Sequence, residues 1–124
     1  MRPREILHRS EEWLSKKTSE VQAKSQAEKI KKRSTTRYRL AKSYYNKRMY
    51  AEAIAELEEV IRTNPDYMAA YYYLALAYEA SELYQEALRE WESYLGRDPH
   101  SRWALDARER YESLKNKLSE EPRR

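Results

Sequence analysis

Residues 34–67 read STTRYRLAKSYYNKRMYAEAIAELEEVIRTNPDY, and residues 68–101 read MAAYYYLALAYEASELYQEALREWESYLGRDPHS. Laid one above the other at an offset of 34, they agree at Tyr38/Tyr72, Leu40/Leu74, Ala41/Ala75, Tyr44/Tyr78 and Tyr50/Tyr84. Agreement continues at Glu52/Glu86, Ala53/Ala87, Glu56/Glu90, Glu58/Glu92 and Pro65/Pro99. A register kept across a turn and a closing proline marks a structural repeat rather than two similar helices.

Each unit reads as two helices. Arg37, Leu40, Ala41 and Tyr44 fall at i, i+3, i+4 and i+7, as do Tyr71, Leu74, Ala75 and Tyr78. That spacing is one helical face and predicts the buried side of each first helix. After the polar breaks NKRM and ASEL, the pattern resumes with Ala53, Ile54, Leu57, Val60 and Ile61, and with Ala87, Leu88, Trp91, Tyr94 and Leu95. Asn64-Pro65 and Asp98-Pro99 end the second helices, because a residue before proline is driven out of the α region. Ala41, Ala53, Ala75 and Ala87 are small enough to let paired helix axes approach closely.

The pattern resembles the tetratricopeptide repeat: a 34-residue period, then large–x–x–Leu–small–x–x–Tyr, Tyr–x–x–Ala–x–x–x–large–x–x–large and Pro. Leu40, Ala41, Tyr44, Tyr50, Ala53, Leu57, Val60 and Pro65 carry it in the first unit. Tyr71, Leu74, Ala75, Tyr78, Tyr84, Ala87, Trp91, Tyr94 and Pro99 carry it in the second. The resemblance implies an all-α helical-hairpin solenoid of two repeats with flanking helices. The sequence departs from the pattern in places. Arg37 takes the first large position, and Arg48 and Glu82 stand where the family often has glycine. A left-handed backbone there costs about 1 kcal/mol per turn for a residue with a Cβ.

Two stacked units leave faces open, and solenoids need about three units or a polar cap. Ser101 can cap a helix over 102–118, with Trp103, Ala104, Ala107, Tyr111, Leu114 and Leu118 inward and Arg108, Glu109, Arg110 and Glu112 outward. Residues 119–124 read as a frayed tail. Residues 1–33 form a basic segment, helical or partly disordered, with ten Lys/Arg against five Asp/Glu; residues 34–124 carry fifteen against sixteen. Ser10 is its expected N-cap, with Glu11 and Glu12 behind it and Lys29, Lys31, Lys32 and Arg33 at the far end, an order that suits the helix dipole. Its apolar residues make no continuous stripe, so capping the first repeat, pairing with another copy or awaiting a partner all stay open.

Composition narrows the chemistry. Without cysteine there is no disulfide or thiolate metal site. The only glycine, Gly96, rules out a phosphate-cradling loop, and no metal-binding helix motif or calcium loop occurs. His8 and His100 stand apart from any acid–nucleophile pair, and the glutamate pairs read as solvated faces. The expectation is a non-catalytic protein without metal or cofactor. No apolar run spans a membrane and no signal-peptide pattern opens the chain, so a soluble, cytoplasmic location is expected.

In the resembled family, the first-helix face beside the core lines a concave groove that receives peptides. By position this groove holds Tyr38, Lys42, Tyr45 and Asn46 from the first unit, Tyr72, Leu76 and Glu79 from the second, and Trp103, Asp106 and Arg110 from the capping helix. Some members grip a terminal carboxylate. The matching places here hold Tyr38, Lys42, Tyr73, Trp103 and Ala107, of which only Lys42 is a cation. The reading is an adaptor or scaffold for a protein or peptide partner, with Tyr72→Ala and Lys42→Ala expected to weaken binding and spare folding. Two alternatives remain: a homo-oligomer assembled through the N-terminal segment, and salt-dependent binding of nucleic acid or an anionic surface by the arm Lys24, Lys29, Lys31, Lys32 and Arg33. The last is disfavoured by the scarcity of aromatics there.

Overall fold

A computed structural model describes the backbone of residues 3–120 and the side chains of residues 10–120. The side chain of His8 and residues 121–124, part of the expected tail, lie outside the described residues. Five helices run in order: α1 Pro3–Asn46, α2 Tyr50–Thr63, α3 Met68–Ala80, α4 Tyr84–Arg97 and α5 Arg102–Glu120. The described residues contain helices and turns and no strand. Contacts divide the chain into two units, Met1–Arg33 and Ser34–Arg124.

In the first unit, residues 10–29 are all exposed, Trp13, Leu14 and Val21 among them. Its described contacts are local: Lys17 pairs with Glu20 at 3.5 Å, and the Thr18 hydroxyl donates to the Leu14 carbonyl at 2.8 Å. Ser10 is not an N-cap, contrary to expectation, because α1 begins at Pro3. Proline suits a first helical position, where its missing N–H would have had no intrahelical partner. All five residues of the expected basic arm are exposed along α1.

The second unit is built from the repeats. α2 and α4 each bury one stripe: Ala53, Leu57 and Val60 on α2, and Ala87, Trp91 and Tyr94 on α4. Between them, α3 buries Ala70, Tyr71, Tyr72, Leu74, Ala75 and Ala77, more than one face. It touches both α2 and α4, and a helix clasped from two sides has little use for a polar face. The run YYYLALAY therefore carries no charge.

The two hairpin turns share one backbone solution. Arg48 and Glu82 are left-handed, with φ of 63° and 61°. In the first turn, the Met49 N–H donates to the Tyr44 carbonyl at 2.8 Å and the Arg48 N–H to the Tyr45 carbonyl at 3.0 Å. In the second, the Leu83 N–H donates to the Tyr78 carbonyl and the Glu82 N–H to the Glu79 carbonyl, both at 2.9 Å. These bonds form the glycine-favouring helix stop, made here by arginine and glutamate. Asn64 and Asp98 leave the helix at φ −143° and −137°, as the following prolines require.

Between successive repeats, and between the second repeat and α5, the same acceptors recur. The Tyr71 hydroxyl donates to the Pro65 carbonyl at 2.7 Å, and Arg108 Nη2 to the Pro99 carbonyl at 3.0 Å. Tyr78 donates to Glu58 and Tyr111 to Glu92, each at 2.8 Å. In both pairs the acceptors are 34 residues apart, whereas the donors are 37 apart in the first pair and 33 in the second, so α5 meets the repeated acceptors from outside the repeat register. Ser101 starts α5 by accepting the Ala104 N–H at 3.2 Å and donating to Asp98, which also receives the Tyr94 hydroxyl at 2.6 Å. These two hydrogen bonds hold the Asp98 carboxyl below the usual carboxylate range.

The first repeat differs from the sequence expectation at its edge. Leu40, placed on the buried face, is 43% exposed, whereas Leu74 at the same repeat position is 2% exposed. α2 covers Leu74; among the described residues no second helix of a preceding repeat covers Leu40. Ser34 is 1% exposed, and its hydroxyl has no hydrogen-bond partner.

Candidate functional site

The expected groove residues gather on the first-helix side of the second unit, in two linked groups. Tyr38, Lys42 and Tyr45 succeed one another at i, i+4 and i+7 along α1, which sets them on one face. The Tyr73 ring of α3 meets them. Its centroid lies 5.7 Å from that of Tyr38 and 5.8 Å from that of Tyr45, edge to face in both cases. The Lys42 ammonium sits 5.5 Å from the Tyr38 ring centre and 5.4 Å from that of Tyr73. A cation shared between two aromatic faces is held there by the ring quadrupoles, without a carboxylate partner. Tyr67 and Tyr50 extend the aromatic set, at 5.0 Å from Tyr38 and 5.5 Å from Tyr45.

The second group links α3, α4 and α5. Tyr72 packs its ring against Trp91, Tyr94 and Trp103, with centroids 5.2, 5.7 and 4.9 Å away. Its hydroxyl donates to Asp106, which also accepts from Arg110 Nε at 2.9 Å. Arg110 reaches Glu79 at 3.7 Å, and Glu79 accepts the Trp91 indole N–H at 2.6 Å. The hydrogen bond from Tyr72, then that from Arg110, holds the Asp106 carboxyl below its ordinary value. Burial first, and then the bond to Asp106, pushes the Tyr72 phenol far up. Burial likewise raises Tyr38, helped by Tyr73 and Tyr67, and raises Tyr45, helped by Tyr50. Tyr38, Tyr45 and Tyr72 therefore stay neutral phenols at physiological pH.

Openings flank the second group. One of about 460 Å³ lies among Glu79, Tyr84, Asp106, Arg110 and Lys117. Another of about 210 Å³ lies against Arg102, Trp103 and Asp106, with Trp103 53% exposed. Leu76 is half-buried against the α4–α5 core, and Asn46 is exposed at the end of α1. Among the described residues no cluster of three or more His, Cys, Asp or Glu could hold a metal ion.

One expectation about the wall is corrected. Tyr72 is 8% exposed, so its ring belongs to the core. Tyr72→Ala then costs folding, and cannot report binding alone. The residue missing from the expected groove is Tyr73, which joins the two groups; its ring centroid is 5.8 Å from that of Tyr72. One helical step separates the two side chains, so Tyr72 enters the α4–α5 side while Tyr73 turns to α1. A signal for this existed: Tyr73 occupies one of the places that matched the family's carboxylate-gripping set.

With this geometry in view, comparison with known proteins is direct. The sequence profile described as "Tetratricopeptide repeat" matches residues 38–102, just over half of the 124 residues. The chain belongs to the tetratricopeptide-repeat family, whose fold is an interaction module for other proteins. No curated protein sequence matches it. Among solved structures, it resembles the first tetratricopeptide domain of Spaghetti (RPAP3), bound there to the HSP90 peptide SRMEEVD. The TM-score is 0.64 at 20% identity, over 70% of this chain and 68% of that one. A tetratricopeptide repeat domain protein from Salinibacter ruber matches in its solution NMR structure with TM-score 0.61 at 21% identity, over 73% and 94% of the two chains. Its crystal structure gives 0.59 at 22%, over 67% and 96%. At these identities the likeness concerns the fold. No described helix is long and apolar enough to cross a membrane.

Proposed function

We propose that the second unit is a non-catalytic adaptor of the cytoplasm, whose concave wall binds a short peptide or a helix of a partner protein. The observation that carries this reading is the Tyr38–Tyr73–Tyr45 ring set with the Lys42 ammonium resting on it. Rigid aromatic rings give contact area at low entropic cost, and one cation among them adds orientation. The domain of Spaghetti (RPAP3), which shares the fold, is bound to a peptide. The cation pattern differs from a paired clamp for a terminal carboxylate, because Arg110 is engaged by Asp106 and Glu79. Contact through rings and Lys42 to side chains within the partner segment is the favoured mode.

Selection from a random peptide library on the intact chain tests this. The enriched peptides should lose binding about tenfold or more to Lys42→Ala and Tyr73→Ala, with helical circular dichroism retained in Lys42→Ala. Enriched peptides that bind both variants as well as the parent would refute the reading.

A further inference from the structure

Hydroxyl groups sort the tyrosines of the second unit into two kinds. Tyr71, Tyr72, Tyr78, Tyr94 and Tyr111 each donate to an acceptor within the chain. Around Lys42 the pattern is reversed. Among the described residues, the hydroxyls of Tyr38, Tyr45 and Tyr73 meet no acceptor, and the Lys42 ammonium makes neither a hydrogen bond nor an ion pair. All four side chains are half-buried, and donors that have lost part of their water gain most from an arriving acceptor. No acid stands near them in the sequence: residues 34–49 hold Arg37, Arg39, Lys42, Lys47 and Arg48 and no Asp or Glu. The single charge of α3 is Glu79, which accepts the Trp91 N–H and pairs with Arg110. This end of the wall is a set of donors around an uncompensated positive charge.

The other end is apolar. Trp103 is 53% exposed, whereas Trp91 is fully buried. Tyr72 braces the Trp103 ring edge to face at 4.9 Å, so the exposed surface belongs to a side chain already held in place. The opening of about 210 Å³ before it is bordered by one cation, Arg102, and one carboxylate, Asp106, and favours neither sign of charge. Steps of 5.4, 5.8 and 4.9 Å lead from the Lys42 ammonium through the ring centres of Tyr73 and Tyr72 to that of Trp103. At about 3.3 Å per extended residue, about five residues of bound chain span both places.

We infer, resting on the adaptor reading, that the wall selects a segment carrying two marks: an Asp or Glu side chain that pairs with Lys42, and a large apolar side chain within about five residues of it that covers Trp103. An ammonium with a carboxylate makes a charge-assisted hydrogen bond, stronger than a neutral one. One cation suits one carboxylate, and of the five places matched to a terminal-carboxylate grip only Lys42 is charged. The acid therefore lies within the segment and not at its end. Apolar contact on the braced Trp103 adds affinity, and the spacing of the two marks adds selectivity.

Peptides selected from the random library on the intact chain, resynthesised with an amidated C-terminus, are the probe. Those that lose at least tenfold to Tyr73→Ala should each hold an Asp or Glu whose change to Asn or Gln costs at least tenfold in the parent chain. The same change should cost less than about twofold in Lys42→Ala, the sign of a direct pair. A large apolar residue within about five positions should also cost at least tenfold when changed to Ala. Its protons should show nuclear Overhauser contacts to the Trp103 ring in the complex of the unsubstituted chain. Wall-dependent peptides that tolerate loss of every acid, that lose binding on amidation, or that leave Trp103 untouched overturn this inference and leave the adaptor standing. Peptides that bind Tyr73→Ala and Lys42→Ala as well as the parent overturn the adaptor reading itself, and this inference with it.

Discussion

The two repeats share a period, a turn and a closing proline, yet the same positions have different surroundings. Leu74 and Tyr71 sit in a core made by helices on either side. Leu40 and Arg37 lie on an edge. Far along the stack, α5 closes the other side with Ala104, Ala107 and Leu114 inward and charge outward. A repeat position therefore fixes direction, and only the neighbour fixes burial. Leucine is kept at both places, while the large aromatic of the second repeat has become arginine in the first.

Paired substitutions at equivalent positions separate the repeats most strongly in the aromatic layer. Tyr72→Ala should lower unfolding free energy by about 3–5 kcal/mol, the cost of emptying a buried aromatic site, whereas Tyr38→Ala, on a half-buried ring, should cost about 1–2. Urea denaturation measures both. Equal losses would mean that the first repeat is as enclosed as the second. Next comes the leucine pair. Leu74→Ala should cost about 2–5 kcal/mol. Leu40→Ala should stay within about 0.5 kcal/mol, as exposed substitutions do.

The turns should erase the difference instead. Arg48→Gly and Glu82→Gly each relieve a left-handed residue bearing a Cβ, so each should stabilise by about 1 kcal/mol, and by similar amounts. A gain at one turn alone would show that the two stops are not energetically alike. The smallest contrast is in pH dependence. Asp98 and Asp106 have folded pKa values below their ordinary 3.8, so their stabilisation is present above that value and fades as pH falls through the depressed ones. Tyr72→Phe removes the leading cause at Asp106 and should flatten the acid limb of the urea midpoint below pH 4. Glu90 has the opposite sign. Burial, with Glu58 nearby, raises its pKa, so Glu90→Gln should stabilise near neutrality and lose that advantage in acid.

Much of this architecture was legible in the sequence, because it depends on local rules. Helix faces follow from i, i+3, i+4 spacing, the second-helix ends from Asn64-Pro65 and Asp98-Pro99, and the awkward turns from Arg48 and Glu82 in glycine's usual place. What escaped the sequence depends on neighbours. The i, i+3, i+4 pattern put Leu40 inside, but no pattern within α1 says whether a helix lies across it. Position in the resembled repeat put Tyr72 in the groove and named Tyr73 only among the places of a carboxylate grip. The packing of α5 and Trp91 instead drew Tyr72 into the core and left Tyr73 facing α1. Ser10 looked like a cap because it precedes two glutamates, yet no signal between Pro3 and Ser10 stops a helix.

The claim most worth exposing to failure is that the wall of Tyr38, Lys42, Tyr45 and Tyr73 receives a partner segment. Backbone amide NMR of the full chain, titrated with a library-selected peptide, addresses it directly. The account predicts that the largest shift changes fall on these four residues, with smaller ones near Trp103 and Asp106. Changes concentrated on the outer faces of α2 and α4, about Glu52 and Glu86, with the wall unmoved, would contradict it.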